Sequence, residues 1–69
     1  MRKFDFSKLD KLKDEKGMSY REVSRQAGIP FQSIHNWKSG KYQPDIKNVM
    51  LLSEMFNVPL DYWYVEGEK

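Results

Sequence analysis

Gln32, His35, Asn36 and Ser39 recur at three- and four-residue spacing within the segment FQSIHNWKS. On a helix this spacing gathers them on the side opposite Ile34 and Trp37. The outward set is polar and contains no carboxylate. A carboxamide donates and accepts at once, so Gln32 and Asn36, one turn apart, can each form a two-pronged pair with N6 and N7 of an adenine in one major groove. Phe31 can touch a thymine methyl. Ser33 can serve a base or a phosphate, and His35 can donate to either, with a charge that varies near neutral pH. The same residues admit a plainer account, in which the Gln, His and Asn side chains are only solvated and Phe31 is a core aromatic at a helix start. His35 has no Ser-His-Asp set or metal-ligand set around it, so the sequence offers no catalytic constellation.

The elements that would position this face follow from caps and periodicity. Apolar residues at three- and four-residue spacing run along the whole chain and few segments alternate as a strand does, which predicts an all-α fold of five helices. A first helix is expected from about Ser7 to Lys16, with Phe6, Leu9 and Leu12 as its stripe and Gly17 ending it. Ser19-Tyr20-Arg21-Glu22 has the pattern of a capping box and starts a second helix at Tyr20. That helix buries Val23 and Ala27, keeps the small Ser24 where another helix can approach, and stops at Gly28. Pro30 suits the first turn of a third helix, which carries Ile34 and Trp37 inward and ends at Gly40. Asp45 caps a fourth helix with Ile46, Val49, Leu52 and Phe56 inward, and Asn57 closes it. Pro59 opens a short fifth helix holding Leu60 and Trp63. The tight connection at Gly28 sets helices two and three at a steep angle, the geometry of a helix-turn-helix at about residues 19–39. Met50, Tyr62 and Tyr64 are expected to be partly exposed, either as a dimer patch or as the edge of a small core.

Composition bounds the function classes. The chain has 69 residues, which predicts one domain over 1–69. It has no Cys and a single His, so disulfides, Cys-ligated zinc and multi-histidine metal sites are excluded. The longest apolar run, Val49 to Leu52, is far too short to span a bilayer, and MRKFDFSKLD contains no apolar stretch of the secretory kind. A cytoplasmic protein is expected. The net charge of +2 is unevenly spread. Residues 16–43 carry Lys16, Arg21, Arg25, Lys38 and Lys41 against Glu22 alone, whereas residues 44–69 carry Lys47 and Lys69 against Asp45, Glu54, Asp61, Glu66 and Glu68. A basic middle and an acidic end suggest one surface that faces a polyanion; chance clustering is the alternative.

Taken together, residues 18–63 (MSYREVSRQAGIPFQSIHNWKSGKYQPDIKNVMLLSEMFNVPLDYW) resemble the Cro/C1-type helix-turn-helix proteins, the XRE or lambda-repressor-like family. The likeness rests on the combined spacing of Val23, Gly28, Ile29, Ile34, Trp37, Gly40, Pro44, Phe56, Val58 and Leu60-Asp61-Tyr62. With Leu9 and Leu12 it covers about four-fifths of the chain. The resemblance implies a compact five-helix DNA-binding domain that works as a transcriptional repressor or activator, commonly as a dimer on a near-palindromic operator. It implies that Phe31, Gln32, Ser33 and Asn36 face base edges and that Ser19, Tyr20, Ser39 and Lys41 approach phosphates. The chain departs from the family pattern in three places. Tyr20 stands where many members have Gln, and Pro30 replaces the usual Ser or Thr cap. Lys13 and Lys38 replace an Arg and a Glu that pair between helices one and three, which is expected to free Lys38 toward the DNA backbone.

The expected function is therefore a sequence-specific regulator of double-stranded DNA, of phage or bacterial repressor type, with no enzymatic activity, cofactor, metal or membrane partner. Phe31, Gln32, Ser33, His35 and Asn36 would read bases. Ser19, Tyr20, Arg21, Lys38, Ser39 and Lys41, with Arg25 as a further cation, would meet phosphates. A homodimer, at least on DNA, would bind an inverted repeat and associate with the nucleoid there. The rival is a helix-turn-helix-shaped protein-interaction module, such as an antitoxin or the partner of an anti-repressor.

Overall fold

The expected caps at Ser19 and Asp45 and the expected helix ends form as the sequence spells them. The computed structural model describes residues 2–66. Its order is β1 (Arg2–Phe4), α1 (Phe6–Glu15), α2 (Tyr20–Ala27), α3 (Phe31–Ser39), α4 (Ile46–Phe56), a 3-10 turn (Leu60–Trp63) and β2 (Tyr64–Glu66). Ser19 Oγ accepts from the Glu22 amide at 3.2 Å and Glu22 Oε1 accepts from the Ser19 amide at 2.9 Å, which completes the capping box of α2. Asp45 Oδ1 accepts from the Asn48 amide at 3.0 Å and starts α4. Gly17, Gly28, Gly40 and Asn57 all take a positive φ after a helix. At Asn57 the value is 58°, within the left-handed region that Asn tolerates better than most side chains.

The fold is helical as expected, with three corrections. Helix α1 starts at Phe6 rather than Ser7, because Asp5 Oδ1 accepts from the Ser7 amide at 3.1 Å and takes the cap. The fifth helix is a single 3-10 turn, so the described residues contain four α-helices. Trp63 must reach the core within one turn of Pro59, and the chain then straightens into β2. The third correction is the strand pair itself. β1 and β2 are antiparallel, with Arg2 opposite Glu66, Lys3 opposite Val65 and Phe4 opposite Tyr64. Strands of three residues are too short to display an alternating pattern.

The core consists of Phe4, Leu9, Val23, Ile29, Ile34, Trp37, Val49, Leu52, Phe56 and Trp63. Trp63 lies at its centre, fully buried, and its Nε1–H donates to Ser53 Oγ at 2.7 Å. Phe4 stacks on Trp63 at 5.8 Å between ring centres and tilts against Trp37 at 6.2 Å. Its amide donates to Gln43 Oε1 at 3.2 Å. Two expected core residues are at the surface. Ile46 is 56% exposed because it opens α4 beyond the edge of the core, while Val49, Leu52 and Phe56 carry the inward row. Leu60 is 37% exposed, since the tight turn that points Trp63 inward leaves Leu60 at the rim. Ala27 is only half-buried. Met50 is exposed, whereas Tyr62 and Tyr64 are half-buried beside Trp63 and Phe4. No helix among the described residues is long and apolar enough to cross a membrane.

Phe4 joins the strand pair to both tryptophans, so Phe4→Ala is expected to lose about 3–5 kcal/mol of stability, a large part of what a small domain possesses. Lys3→Ala, an exposed change on the same strand, is expected to stay within about 0.5 kcal/mol. Urea unfolding followed by tryptophan fluorescence measures both.

Candidate nucleic-acid interface

The turn between α2 and α3 is fixed by short backbone and side-chain bonds. Gly28 takes φ 75°, and the amides of Gly28 and Ile29 both donate to the Ser24 carbonyl, at 3.0 and 3.1 Å. Ser24 Oγ donates back to the Ile29 carbonyl at 2.5 Å. Ile29 is buried beneath the turn, so the small size of Ser24 serves this closure. Pro30 then occupies the cap position of α3 and offers no side-chain acceptor. Its carbonyl accepts from the amides of Ser33 and Ile34 at 3.0 and 3.4 Å.

With Ile34 and Trp37 buried, Gln32 and His35 are exposed and Ser33 and Asn36 are half-buried at the flank. Gln32 Nε2 donates to Asn36 Oδ1 at 3.2 Å. One Nε2 proton and the Oε1 acceptor of Gln32 remain for a ligand, as does the whole Asn36 NH2 group. The two amides thus form one joined donor and acceptor surface. Asn36 also ends the helix, because its backbone carbonyl accepts from Ser39 Oγ at 3.1 Å and from the Lys41 amide at 3.0 Å. Phe31 is 38% exposed and sits beneath the Arg21 guanidinium, whose carbon is 4.6 Å from the ring centre.

The cations around this face are held by rings. Lys41 Nζ lies 5.6 Å from the Tyr42 ring and Lys38 Nζ 5.3 Å from the Tyr20 ring. Lys13 Nζ lies 4.7 Å from the same Tyr20 ring. Among the described residues the ion pairs are Arg2 with Asp61 and Lys13 with Asp10 and Asp14, so Arg21, Lys38 and Lys41 keep no carboxylate partner. Ser19 Oγ accepts within the capping box and retains its own proton for donation. Arg25 is exposed.

Tyr20 differs most from what the sequence suggests. Its O–H donates to the Asp10 carboxylate on α1 and its ring tilts against Phe6 at 5.7 Å. Burial, reinforced by the Asp10 carboxylate, raises the phenol well above its ordinary pKa, so it stays protonated. Lys38 is accordingly not a loose cation: its ammonium rests on Tyr20, which links α1, α2 and α3. Lys13 is held in its charged form by a hydrogen bond to Asp14 at 2.5 Å. Neither the Asp10 contact nor the pairing of Arg21 with Phe31 was evident in the sequence, because each depends on how two helices dock. Among the described residues no cluster of three His, Cys, Asp or Glu side chains is placed to hold a metal.

A two-turn helix locked to a second helix, whose polar side faces outward, defines the class: a helix-turn-helix DNA-binding domain. The chain belongs to the Cro/C1-type (XRE) family of that class, its helix-turn-helix family model matching residues 9–63. A crystal structure of a transcriptional regulator from Listeria innocua has the same fold, with a TM-score of 0.73 over 97% of this chain at 20% identity. This chain spans 64% of that protein's length. No curated protein sequence matches it.

The raised pKa of Tyr20 has a sign that can be measured. The protonated phenol favours the folded state, so its contribution is fully present below the unfolded value of 10.0 and is lost as pH rises beyond it. The urea midpoint is expected to fall more steeply above pH 10 in the wild type than in Tyr20→Phe, which lacks the ionising group.

Proposed function

We propose that the chain is a sequence-specific transcription regulator of double-stranded DNA, of repressor type, which lays α3 in the major groove and sets α2 across the backbone. The observation that carries this reading is the joined Gln32–Asn36 amide surface, which lies on the outward side of a fixed helix. No carboxylate stands on α3, and Arg21, Lys38 and Lys41 beside it are unneutralised. Phe31, Gln32, Ser33, His35 and Asn36 contact base edges, with Gln32 and Asn36 directed to adenine. Ser19, Arg21, Lys38 and Lys41 meet phosphates, Ser39 joins them by exchanging its bond to the Asn36 carbonyl, and Arg25 is a more distant cation. Tyr20, whose hydroxyl is engaged by Asp10, takes part through its ring by holding Lys38. The chain acts as a homodimer at least on DNA, with two reading helices about 34 Å apart on inverted half-sites centred about 10 bp apart.

A second reading, a helix-turn-helix-shaped module that binds protein, draws on the exposed Ile46, Met50 and Leu60 along α4 and the 3-10 turn. Titration of labelled duplex DNA across salt concentrations separates the two. Phosphate neutralisation requires affinity to fall steeply with the logarithm of salt, whereas absent or salt-independent binding favours the protein partner. On a site selected from random duplexes, Gln32→Ala is expected to relax preference at one base pair at a cost of about 1–3 kcal/mol. Lys41→Ala and Lys38→Glu are expected to weaken all sequences alike. The reverse pattern, in which the lysine variants change sequence preference and Gln32→Ala does not, would refute the role assignments.

A further inference from the structure

We propose that Arg21 and Phe31 form a single unit that reads the C5-methyl group of a pyrimidine, so that 5-methylcytosine can replace thymine at this contact. The inference rests on the DNA-binding reading above and specifies the chemistry of one part of that surface. Phe31 is the first residue of α3, and the residue is 38% exposed although Ile34 and Trp37 of the same helix are buried. An aromatic ring left at the edge of a polar face costs free energy in water unless something covers it. Arg21, from the first turn of α2, covers part of it: the guanidinium carbon is 4.6 Å from the ring centre. This contact attracts the cation to the ring and restricts the ring's rotamers before any ligand arrives. No hydrogen bond or ion pair among the described residues occupies the guanidinium N–H groups, so they remain available beside the ring.

The polar neighbours of Phe31 match donors and acceptors, whereas the ring matches none. Among the groups that the base pairs present in the major groove, the only apolar one is the thymine methyl. A ring pinned at the start of the reading helix is therefore complementary to a methyl at C5, whichever pyrimidine bears it. Cytosine lacks that group and 5-methylcytosine restores it in the same place. Methylation of a site would thus strengthen binding at a cytosine that occupies the Phe31 contact, and base modification becomes an input to the regulator.

The test uses the intact chain and a duplex selected from random sequence. Each thymine is replaced in turn by deoxyuridine, which removes only the methyl. Burial of one methyl corresponds to about a fourfold change in affinity. One thymine per half-site is expected to show that loss. At the same position 5-methylcytosine paired with guanine is expected to bind about fourfold more tightly than cytosine paired with guanine. Phe31→Ala is expected to bind thymine and uracil duplexes equally, and Arg21→Gln to reduce the discrimination. A selected site with a steep salt dependence but no uracil-sensitive thymine overturns this inference and leaves the DNA-binding reading intact. Methyl discrimination that survives Phe31→Ala overturns it as well. Failure to bind any duplex overturns both. The uracil series on the wild-type chain does not depend on whether a variant folds.

Discussion

The closure of the turn at Gly28 sets the direction of α3, and with it everything the outer surface can do. Ser24 closes that turn from both sides, accepting through its carbonyl and donating through its hydroxyl, while Gly28 supplies a backbone conformation that other residues adopt at a cost. Once the exit from the turn is fixed, the helical period does the rest. Ile34 and Trp37 enter the core, and Gln32 and His35 cannot avoid the solvent. A change in the turn that rotated α3 by one residue would place an amide in the core and a tryptophan outside.

The remainder of the molecule keeps that helix in place with few residues. Trp63 and Phe4 come from opposite ends of the described segment and Phe4 also meets Trp37, so the strand pair and α3 share one aromatic cluster. On the other flank Tyr20, at the start of α2, ties α1 to α3. Its ring accommodates two ammonium groups from α1 and α3, and Asp10 and Asp14 offset the charge on the α1 side. The α3 side keeps its positive charge. A ring at this junction thus joins the helices while leaving a cation at the rim.

Local signals are legible in the sequence because their physics is local. The capping box at Ser19 and Glu22, the Asp45 cap, and the Gly28, Gly40 and Asn57 ends each depend on a few consecutive residues. The inward rows of α3 and α4 followed from period alone, apart from Ile46, whose place in the row says nothing about where the core stops. The strand pair escaped because Arg2–Phe4 and Tyr64–Glu66 have meaning only when brought together across the fold. The same holds at the candidate interface. That Gln32 is exposed is legible, but its bond to Asn36 depends on the rotamers of both side chains. The partners of Tyr20 and Phe31 came from other helices, and no spacing rule connects them.

The bond between Gln32 and Asn36 has a consequence for error. Turning the Gln32 amide alone by half a revolution would set its oxygen against the Asn36 oxygen, two acceptors in opposition. The pair must therefore turn together or stay as it is. Under the proposed reading, a mismatched base would then meet two coupled side chains a full turn apart rather than one that turns independently.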